Sequence, residues 1–253
     1  MQEYKCTITE ISKLNADTVY ITISCPEIAK AAVPGQFVNI SADKFLKRPF
    51  GIASADTEKG TFCIGVKVVG KGTQEISSFK QGKAVDVLGP LGNGFNVDGY
   101  DDLVLVAGGT GVFPINFAKE YYGARGKKIT VVQGFRTQDQ IIMSDKDSIV
   151  STDDGSFGIH GNCCDALKTL DWNSFSKPVI MTVGPLPMMK FTGLLARELN
   201  VPCYVSMEQR MACGIGICLV CVCKIKAEAE GREFDHKRCC KDGPVFPYEE
   251  VIW

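Results

Sequence analysis

The sequence has few of the residues on which histidine catalysis, nucleic-acid binding or membrane insertion depend. Its 253 residues include two histidines, His160 and His236, which disfavours acid–base chemistry built on imidazole. The net charge is −1 without a long basic run, so nucleic-acid binding has no electrostatic support. No stretch approaches the ~20 apolar residues of a membrane span. The N-terminus also lacks the charged-then-apolar order of a signal peptide.

Cysteine, by contrast, is plentiful. The chain has 12 cysteines, a 45% hydrophobic fraction and a 23% charged fraction, which is typical of a globular protein. Its length suits two compact domains and a small appendix. Without an export signal, these thiols predict a cytoplasmic protein in which cysteines bind metal or pack in the core.

Three of the cysteines have a diagnostic spacing. Cys213, Cys218 and Cys221 form C-x4-C-x2-C, the plant-type spacing of a [2Fe–2S] cluster. Gly214 and Gly216 permit the sharp turns that aim backbone N–H groups at sulfur. The candidates for the fourth ligand are Cys239, Cys240 and Cys223. Zinc binding, disulfides and plain burial of small thiols are the alternative interpretations.

Residues 1–98 are predicted to be rich in β-strands. Strand-like patterns occupy residues 4–11, 18–23, 36–41 and 62–69, separated by glycine and proline. Helix is confined to a turn or two near residues 27–32 and 74–79. Short strands at such intervals predict a small antiparallel barrel.

Two spots in this segment suit phosphate binding. At residues 48–51, an arginine fork precedes a proline of fixed φ and an aromatic side chain, an order that suits a phosphate beside a planar ring. At residues 70–73, a glycine-rich turn offers backbone N–H groups. A solvated arginine and an ordinary turn are the alternatives.

The hydrophobic pattern changes over residues 99–207. The apolar run 103–107 is typical of a buried parallel strand, and further strands are predicted at 129–133, 148–152, 179–183 and 203–206. Helices are predicted from Pro114 through Tyr121, at 163–170 and at 188–199. This alternation predicts a doubly wound parallel sheet.

Two glycine-rich loops follow strands of that sheet, where ligands of such sheets bind. Gly109 and Gly111 suit the approach of a pyrophosphate to a helix N-terminus, although Pro114 stands where G-x-G-x-x-G has its third glycine. Gly184 and Pro185 form the second loop. Arg136 suits either a 2′-phosphate or a surface position, so the sequence leaves NAD and NADP open.

Taken together, these motifs resemble the ferredoxin–NADP reductase superfamily over nearly the whole chain. The run Met-Glu-Gln-Arg-Met-Ala-Cys-Gly-Ile-Gly-Ile-Cys-Leu-Val-Cys and the later Cys-Lys-Asp-Gly-Pro-Val-Phe narrow the resemblance. They are similar to the electron-transfer subunits of NAD-linked dihydroorotate dehydrogenases. The resemblance implies an FAD-binding barrel at residues 1–98, a nicotinamide-binding domain at 99–207 and a [2Fe–2S] module at 208–253.

The resemblance also assigns residues to the cofactors. The residues assigned to the FAD motif are Arg48, Pro49, Phe50 and Gly51. Those assigned to the flavin-side strand are Gly65, Val66 and Lys67, and those assigned to the phosphate turn are Gly72 and Thr73. The nicotinamide loops take Gly109, Gly111, Gly184 and Pro185, and the cluster takes Cys213, Cys218, Cys221 and Cys240. The sequence departs from the family pattern at Gly51, where Ser or Thr is usual, and at Val183, where many members have cysteine.

The implied function is a relay of electrons between NAD(H), FAD, the cluster and the FMN of a separate dihydroorotate dehydrogenase catalytic subunit. The resemblance implies a heterotetramer with two copies of each subunit and pyrimidine biosynthesis as the setting. No side chain is assigned an acid–base role. The alternatives are a flavin and iron–sulfur subunit of a ferredoxin–NADP oxidoreductase, sulfite reductase or hydrogenase, and a zinc-stapled binding module.

Overall fold

A computed structural model describes residues 2–42, 46–227 and 231–253 of the chain. Two large sheets account for most of the strands, and a two-stranded ribbon lies near the C-terminus. In the described part of the chain, no helix is both long and apolar enough to cross a bilayer.

The first sheet is a closed antiparallel barrel, as predicted. Its strands are β1 (Gln2–Lys13), β2 (Thr18–Ser24), β3 (Phe37–Ile40), β4 (Arg48–Asp56), β5 (Thr61–Lys67) and β6 (Ala84–Leu91), in the order β1-β2-β5-β4-β3-β6. Two short helices, α1 (Pro26–Ala31) and α2 (Lys71–Ser77), lie near the two places where the sequence predicts a turn or two of helix. The barrel core is filled by the inward residues of alternating strands, among them Ile8, Ile21 and Phe62.

Two barrel strands, β4 and β6, were not among the predicted strands. Pro49 and Gly51 interrupt the alternation in β4, and Gly89 and Pro90 interrupt it in β6. Such residues usually mark turns rather than strands. Here they lie within paired strands, and Gly51 contacts Pro114 outside the barrel.

The second sheet is the predicted parallel sheet. Its parallel strands are β7 (Asp102–Gly108), β8 (Lys128–Phe135), β9 (Ile149–Thr152), β10 (Ile159–His160), β11 (Pro178–Val183) and β12 (Cys203–Ser206), in the order β10-β9-β8-β7-β11-β12. Its helices are α3 (Val112–Gly123), α4 (Cys163–Leu167) and α5 (Leu186–Glu198). Pro114 lies in the first turn of α3, as predicted.

Strand β7 is covered on both faces, which explains its unbroken apolar run. Leu103 and Leu105 belong to the core that includes α3, while Val104 and Val106 belong to the core that includes α4 and α5. A strand buried on both sides gains nothing from polar alternation. The parallel sheet is therefore doubly wound, as the sequence indicates.

The C-terminal segment adds to both parts. Strands β13 (Val222–Lys226) and β14 (Phe234–Arg238) form the ribbon, and β15 (Val245–Pro247) pairs antiparallel with β12 at the edge of the second sheet. Cys221, Cys240 and Phe246 share one hydrophobic core with α4 and α5. The tail thus completes the sheet of the preceding segment, while the boundaries at residues 98 and 207 stay predictions.

Candidate functional site

The two spots predicted to bind phosphate lie side by side. Arg48 opens β4, and Gly72 lies in the first turn of α2. A Cβ placed on Gly72 would stand 2.4 Å from Arg48 Nε, so the guanidinium lies directly against the glycine backbone. Thr73 Oγ1 closes the turn by accepting hydrogen bonds from the backbone N–H groups of Val69, at 2.9 Å, and Gly70, at 3.1 Å. An arginine fork and a glycine turn on one surface suit a phosphate better than either does alone.

Beside this surface, a cavity of about 410 Å³ lies between the barrel and the second sheet. The predicted residues that line it are Pro49, Phe50, Gly51, Gly65, Lys67, Thr73 and Gly111. Phe37 and Phe113 add aromatic rings to the wall, which suits a planar aromatic ligand. The Val66 side chain lies in the barrel core, so this residue can meet a ligand only through its backbone.

Glycines in the cavity wall let the barrel approach α3 closely. A Cβ on Gly65 would lie 2.1 Å from the ring of Phe113, and a Cβ on Gly51 would lie 3.4 Å from Pro114. The proline that breaks the G-x-G-x-x-G pattern therefore packs against the predicted flavin motif.

A second cavity, of about 1090 Å³, opens at the carboxyl ends of β7, β8 and β11. Gly109, Gly184 and Pro185 line it, as does Arg136. The two glycine loops touch each other, because a Cβ on Gly111 would lie 2.0 Å from the carbonyl oxygen of Val183. This is the edge of a doubly wound sheet at which dinucleotides bind.

Three residues line both cavities, namely Lys67, Thr110 and Glu208. Lys67 was predicted, whereas Thr110 and Glu208 were not. The Glu208 residue is exposed at this junction, but the surrounding walls of the cleft desolvate its carboxyl enough to raise its pKa. Glu208 follows the end of β12 by two residues, so the rule that ligands bind at the carboxyl ends of parallel strands could have found it. At this junction, a dinucleotide in one cavity would meet a ligand in the other.

The cysteine loop of residues 213–221 has the conformation that its glycines predict. Gly214 has a φ of +70° and Gly216 a φ of +83°. Cys213 Sγ accepts hydrogen bonds from the backbone N–H groups of Ile215 and Cys218, each at 3.4 Å. Burial acts to raise the pKa of Cys213, but these N–H groups outweigh it and lower the pKa to about 6. The loop is thus built to stabilise a thiolate.

The two candidate thiols at 239 and 240 face different partners. Burial and a side-chain hydrogen bond with Cys221 raise the pKa of Cys240 to about 12, with the backbone N–H of Gly216 acting in the opposite direction. The Cys239 thiol instead bonds with Cys223, an interaction that raises the pKa of Cys239 and lowers that of Cys223. The cysteine loop therefore faces Cys240. Cys223 and Cys239, both free thiols, share a hydrogen bond with each other.

An ion pair holds the loop against this turn. Arg238 donates to both carboxylate oxygens of Asp242, at 2.8 and 2.9 Å, and its Nη1 donates to the carbonyl oxygen of Gly216 at 3.0 Å. The Arg238 guanidinium lowers the pKa of Asp242. The fork thus fixes the spacing between the cysteine loop and Cys240. Among the described residues, no three His, Cys, Asp or Glu side chains are close enough to share one metal ion.

The donor set suits an iron–sulfur cluster rather than a hard cation. The thiols of Cys213, Cys218, Cys221 and Cys240 are soft ligands, and all 12 cysteines of the chain are free. The first cavity, with aromatic walls and an adjacent arginine, suits a flavin nucleotide. Fold and sites together define a flavoprotein reductase of the ferredoxin–NADP reductase type with an iron–sulfur module.

Comparison with known families places the chain more narrowly. Residues 5–95 match the oxidoreductase FAD-binding domain, and residues 208–252 match the iron–sulfur cluster binding domain of dihydroorotate dehydrogenase B. A dihydroorotate dehydrogenase B (NAD(+)) electron transfer subunit of Desulforamulus reducens is 36% identical over 254 residues, which cover 94% of this chain and 93% of that subunit. The subunit of Bacillus cereus strain Q1 is 36% identical over 231 residues, covering 87% of this chain and 86% of that subunit.

The chain belongs to the family of dihydroorotate dehydrogenase B electron transfer subunits. It is an oxidoreductase subunit for electron transfer, with FAD and a [2Fe–2S] cluster as cofactors. The relatives' role as one subunit also implies a catalytic partner.

Solved structures agree with this fold. The structure of an NADH-dependent reduced ferredoxin–NADP oxidoreductase is 36% identical, with a TM-score of 0.87, and the match covers 98% of this chain and 89% of that chain. The ferredoxin reductase of carbazole 1,9a-dioxygenase has a TM-score of 0.68 at 19% identity, over 79% of this chain and 67% of that chain. The latter likeness concerns the fold alone.

Proposed function

We propose that the chain relays electrons between NAD+ and an FMN-containing catalytic subunit that oxidises dihydroorotate to orotate. The proposed setting is the biosynthesis of UMP in the cytoplasm, in a heterotetramer with two copies of each subunit. Support comes from the relatives, which are named as NAD(+)-linked electron transfer subunits. The 12 free thiols agree with a reducing compartment.

One spatial relationship supports this proposal: the two cavities share lining residues, and one of them reaches the cysteine segment. Lys67 and Glu208 line both the dinucleotide cavity and the flavin cavity. Cys239 lines the flavin cavity, and its neighbour Cys240 faces the cysteine loop. A dinucleotide, a flavin and a cluster bound at these sites would form a single path through the molecule.

The residues of the chain would hold these groups next to one another. Arg48 and the turn at Gly72 would hold the FAD phosphates, and Gly109, Gly111, Gly184 and Pro185 would admit the dinucleotide. Cys213, Cys218, Cys221 and Cys240 would hold the irons. When bound, FAD exchanges electrons in pairs or singly and the cluster exchanges them singly, so the pair converts two-electron chemistry into one-electron steps. No side-chain acid or base is needed for the relay.

The surface beside the cysteine loop suits a partner protein. Ile217, Leu219 and Val220 are 75%, 59% and 50% exposed, and Leu219 has a φ of +58°, which is unusual for a residue other than glycine. We call these three residues the cluster-loop patch. Exposed apolar side chains next to an electron carrier favour docking of the protein that exchanges electrons with it. We assign this patch to the catalytic subunit.

A second candidate function has specific support. The NADH-dependent ferredoxin–NADP oxidoreductase structure matches this chain at the same 36% identity as the curated relatives. The chain would then serve as the flavin and iron–sulfur subunit of such a complex, with a different partner at the cluster-loop patch. The family match over residues 208–252 favours the dihydroorotate partner.

The decisive experiment compares the chain alone with the chain bound to its catalytic subunit. The chain is purified without oxygen, and its flavin, iron and sulfide contents are measured. Alone, it should oxidise NADH with an artificial acceptor and leave dihydroorotate unchanged. With the catalytic subunit, dihydroorotate should reduce NAD+. Dihydroorotate turnover by the chain alone would contradict the proposal, and so would a pure preparation unable to take up iron and sulfide.

A further inference from the structure

Asn39 is a buried amide on the face of the barrel that meets the C-terminal segment. It lies on β3, is 1% exposed, and pairs with Pro49 of the predicted flavin motif on β4. Its neighbours Val38 and Ile40 point into the barrel core. Because side chains alternate along a strand, Asn39 shares the outer face of β3 with Phe37, which lines the flavin cavity.

The hydrogen-bonding capacity of this amide is almost unused. Asn39 Nδ2 lies 4.0 Å from the thioether sulfur of Met211, which is a weak acceptor. Its Oδ1 has no hydrogen-bond partner among the described residues. Cluster sulfurs are acceptors and would not serve Oδ1, but Nδ2, which meets only a thioether at 4.0 Å, keeps the capacity to donate to a stronger acceptor.

The amide is directed at the cysteine loop. A Cβ placed on Gly214 would lie 2.1 Å from Asn39 Nδ2, closer than to any other atom of the protein. Gly214 follows Cys213 directly and precedes Cys218 in the loop. The glycine is therefore needed twice, once for its φ of +70° and once to admit the amide. The amide nitrogen of Asn39 thus lies against the backbone of the loop that carries Cys213 and Cys218.

We propose that Asn39 is a positioning residue for the iron–sulfur cluster, whose amide N–H donates toward the cluster sulfurs and fixes the loop against the flavin-binding barrel. An N–H dipole stabilises the additional negative charge of the reduced cluster, and hydrogen bonds to sulfur are known to set cluster potentials. Asn39 therefore raises the reduction potential. This inference deepens the proposed function and rests on it in one respect, the assignment of the cluster to Cys213, Cys218, Cys221 and Cys240.

The test is a redox titration of the full-length chain with its flavin and cluster, followed by electron paramagnetic resonance of the reduced cluster. Asn39→Leu keeps the size of the side chain and removes both N–H groups. The expected result is a cluster at unchanged iron content whose midpoint potential is shifted to a more negative value, with an altered resonance signal. The flavin potential should stay constant. If Asn39→Leu does not fold, Asn39→Thr replaces the amide with a hydroxyl too short to reach Gly214, and the same negative shift is expected.

Asn93→Leu is the matched control. Asn93 Nδ2 also joins the barrel side to the C-terminal segment, through the carbonyl oxygens of Lys241 and Asp242, without facing the loop at Gly214. Its variant should leave the cluster potential unchanged. An unchanged potential in the Asn39 variants would overturn the proposal. An equal shift in the Asn93 variant, or a shift in the flavin alone, would overturn it as well.

These measurements use neither dihydroorotate nor the catalytic subunit. Failure of the Asn39 inference would therefore leave the relay function standing. Conversely, a chain that shows the shift but never receives electrons from dihydroorotate would contradict the relay function alone.

Discussion

The guanidinium of Arg48 lies against the backbone of Gly72, with Nε 2.4 Å from where a Cβ on that glycine would stand. These residues are 24 positions apart in the sequence, and each belongs to a motif that is weak by itself. The barrel brings them together because β4 and β5 pair and α2 follows β5. Their contact turns two ambiguous signals into one candidate phosphate site.

This contact predicts a specific sensitivity at Gly72. The change Gly72→Ala would push the Arg48 guanidinium away from the turn; the end of this flexible side chain can move at little cost to the fold, but the arginine fork and the turn would no longer lie together for a phosphate. We expect FAD to bind at least about tenfold more weakly, which corresponds to ~1.4 kcal/mol. The measurement is a titration of the flavin-free chain with FAD, followed by flavin fluorescence.

Gly70→Ala is the control in the same turn. A Cβ on Gly70 would have no atom within 4 Å, and its φ of −176° is open to any residue. Its affinity for FAD should match that of the unchanged chain. If the two variants weaken FAD binding equally, the turn acts through its flexibility and the contact with Arg48 is irrelevant.

The sequence predicts features that depend on neighbouring residues and misses those that depend on contacts between distant segments. The strand β7, the loop glycines and the cysteine spacing are local, and the sequence predicts all three. The strand β4 escapes prediction because Pro49 and Gly51 look like turn residues, yet both lie in a paired strand of the barrel. Likewise, the orientation of Cys239 toward Cys223 follows from how β13 and β14 pair, which no spacing rule contains.

The Cys213 thiol should be reactive at unusually low pH in cluster-free protein. Its pKa is lowered from the usual 9.0 to about 6, because the N–H groups that outweigh the effect of burial favour the thiolate. The thiolate is the form that alkylating reagents attack. We expect alkylation of Cys213 by iodoacetamide to fall to half its maximal rate near pH 6, measured by mass spectrometry of the labelled peptide.

Cys240 serves as the internal comparison in that experiment. Its pKa is raised to about 12, first by burial and then by its contact with Cys221, so it should stay protonated and unlabelled at pH values well below 12. A half-maximal rate for Cys213 near pH 9 would mean that the loop needs the cluster to take up its conformation.

Separate replacement of Cys239 and Cys240 should show which of the two thiols binds the cluster. Cys240→Ser removes the thiol that faces Cys221 and Gly216, so iron content and visible cluster absorption should fall by more than half. Cys239→Ser removes a thiol that faces Cys223, and the cluster should remain. Iron analysis of both variants after identical reconstitution is the measurement. Loss of iron in Cys239→Ser with retention in Cys240→Ser would exchange the two roles.

The cluster-loop patch should matter for the partner and not for the cofactors. In Ile217→Asp, a charge replaces an apolar side chain that is 75% exposed, so the fold should tolerate it while docking should not. We expect affinity for the catalytic subunit to fall about tenfold or more, within the ~1–3 kcal/mol typical of an interface residue that contributes strongly. Binding is measured by calorimetry, and NADH oxidation with an artificial acceptor should be unchanged.

Phe157→Asp is the matched control for that change. Phe157 is also exposed, at 47%, but it follows β9 in the second sheet and lines neither cavity. The same charge placed there should leave binding of the catalytic subunit intact. Equal losses in both variants would point to a general effect of added negative charge. An unimpaired Ile217→Asp variant would place the docking surface elsewhere, since a partner seated on the patch has to bury that side chain.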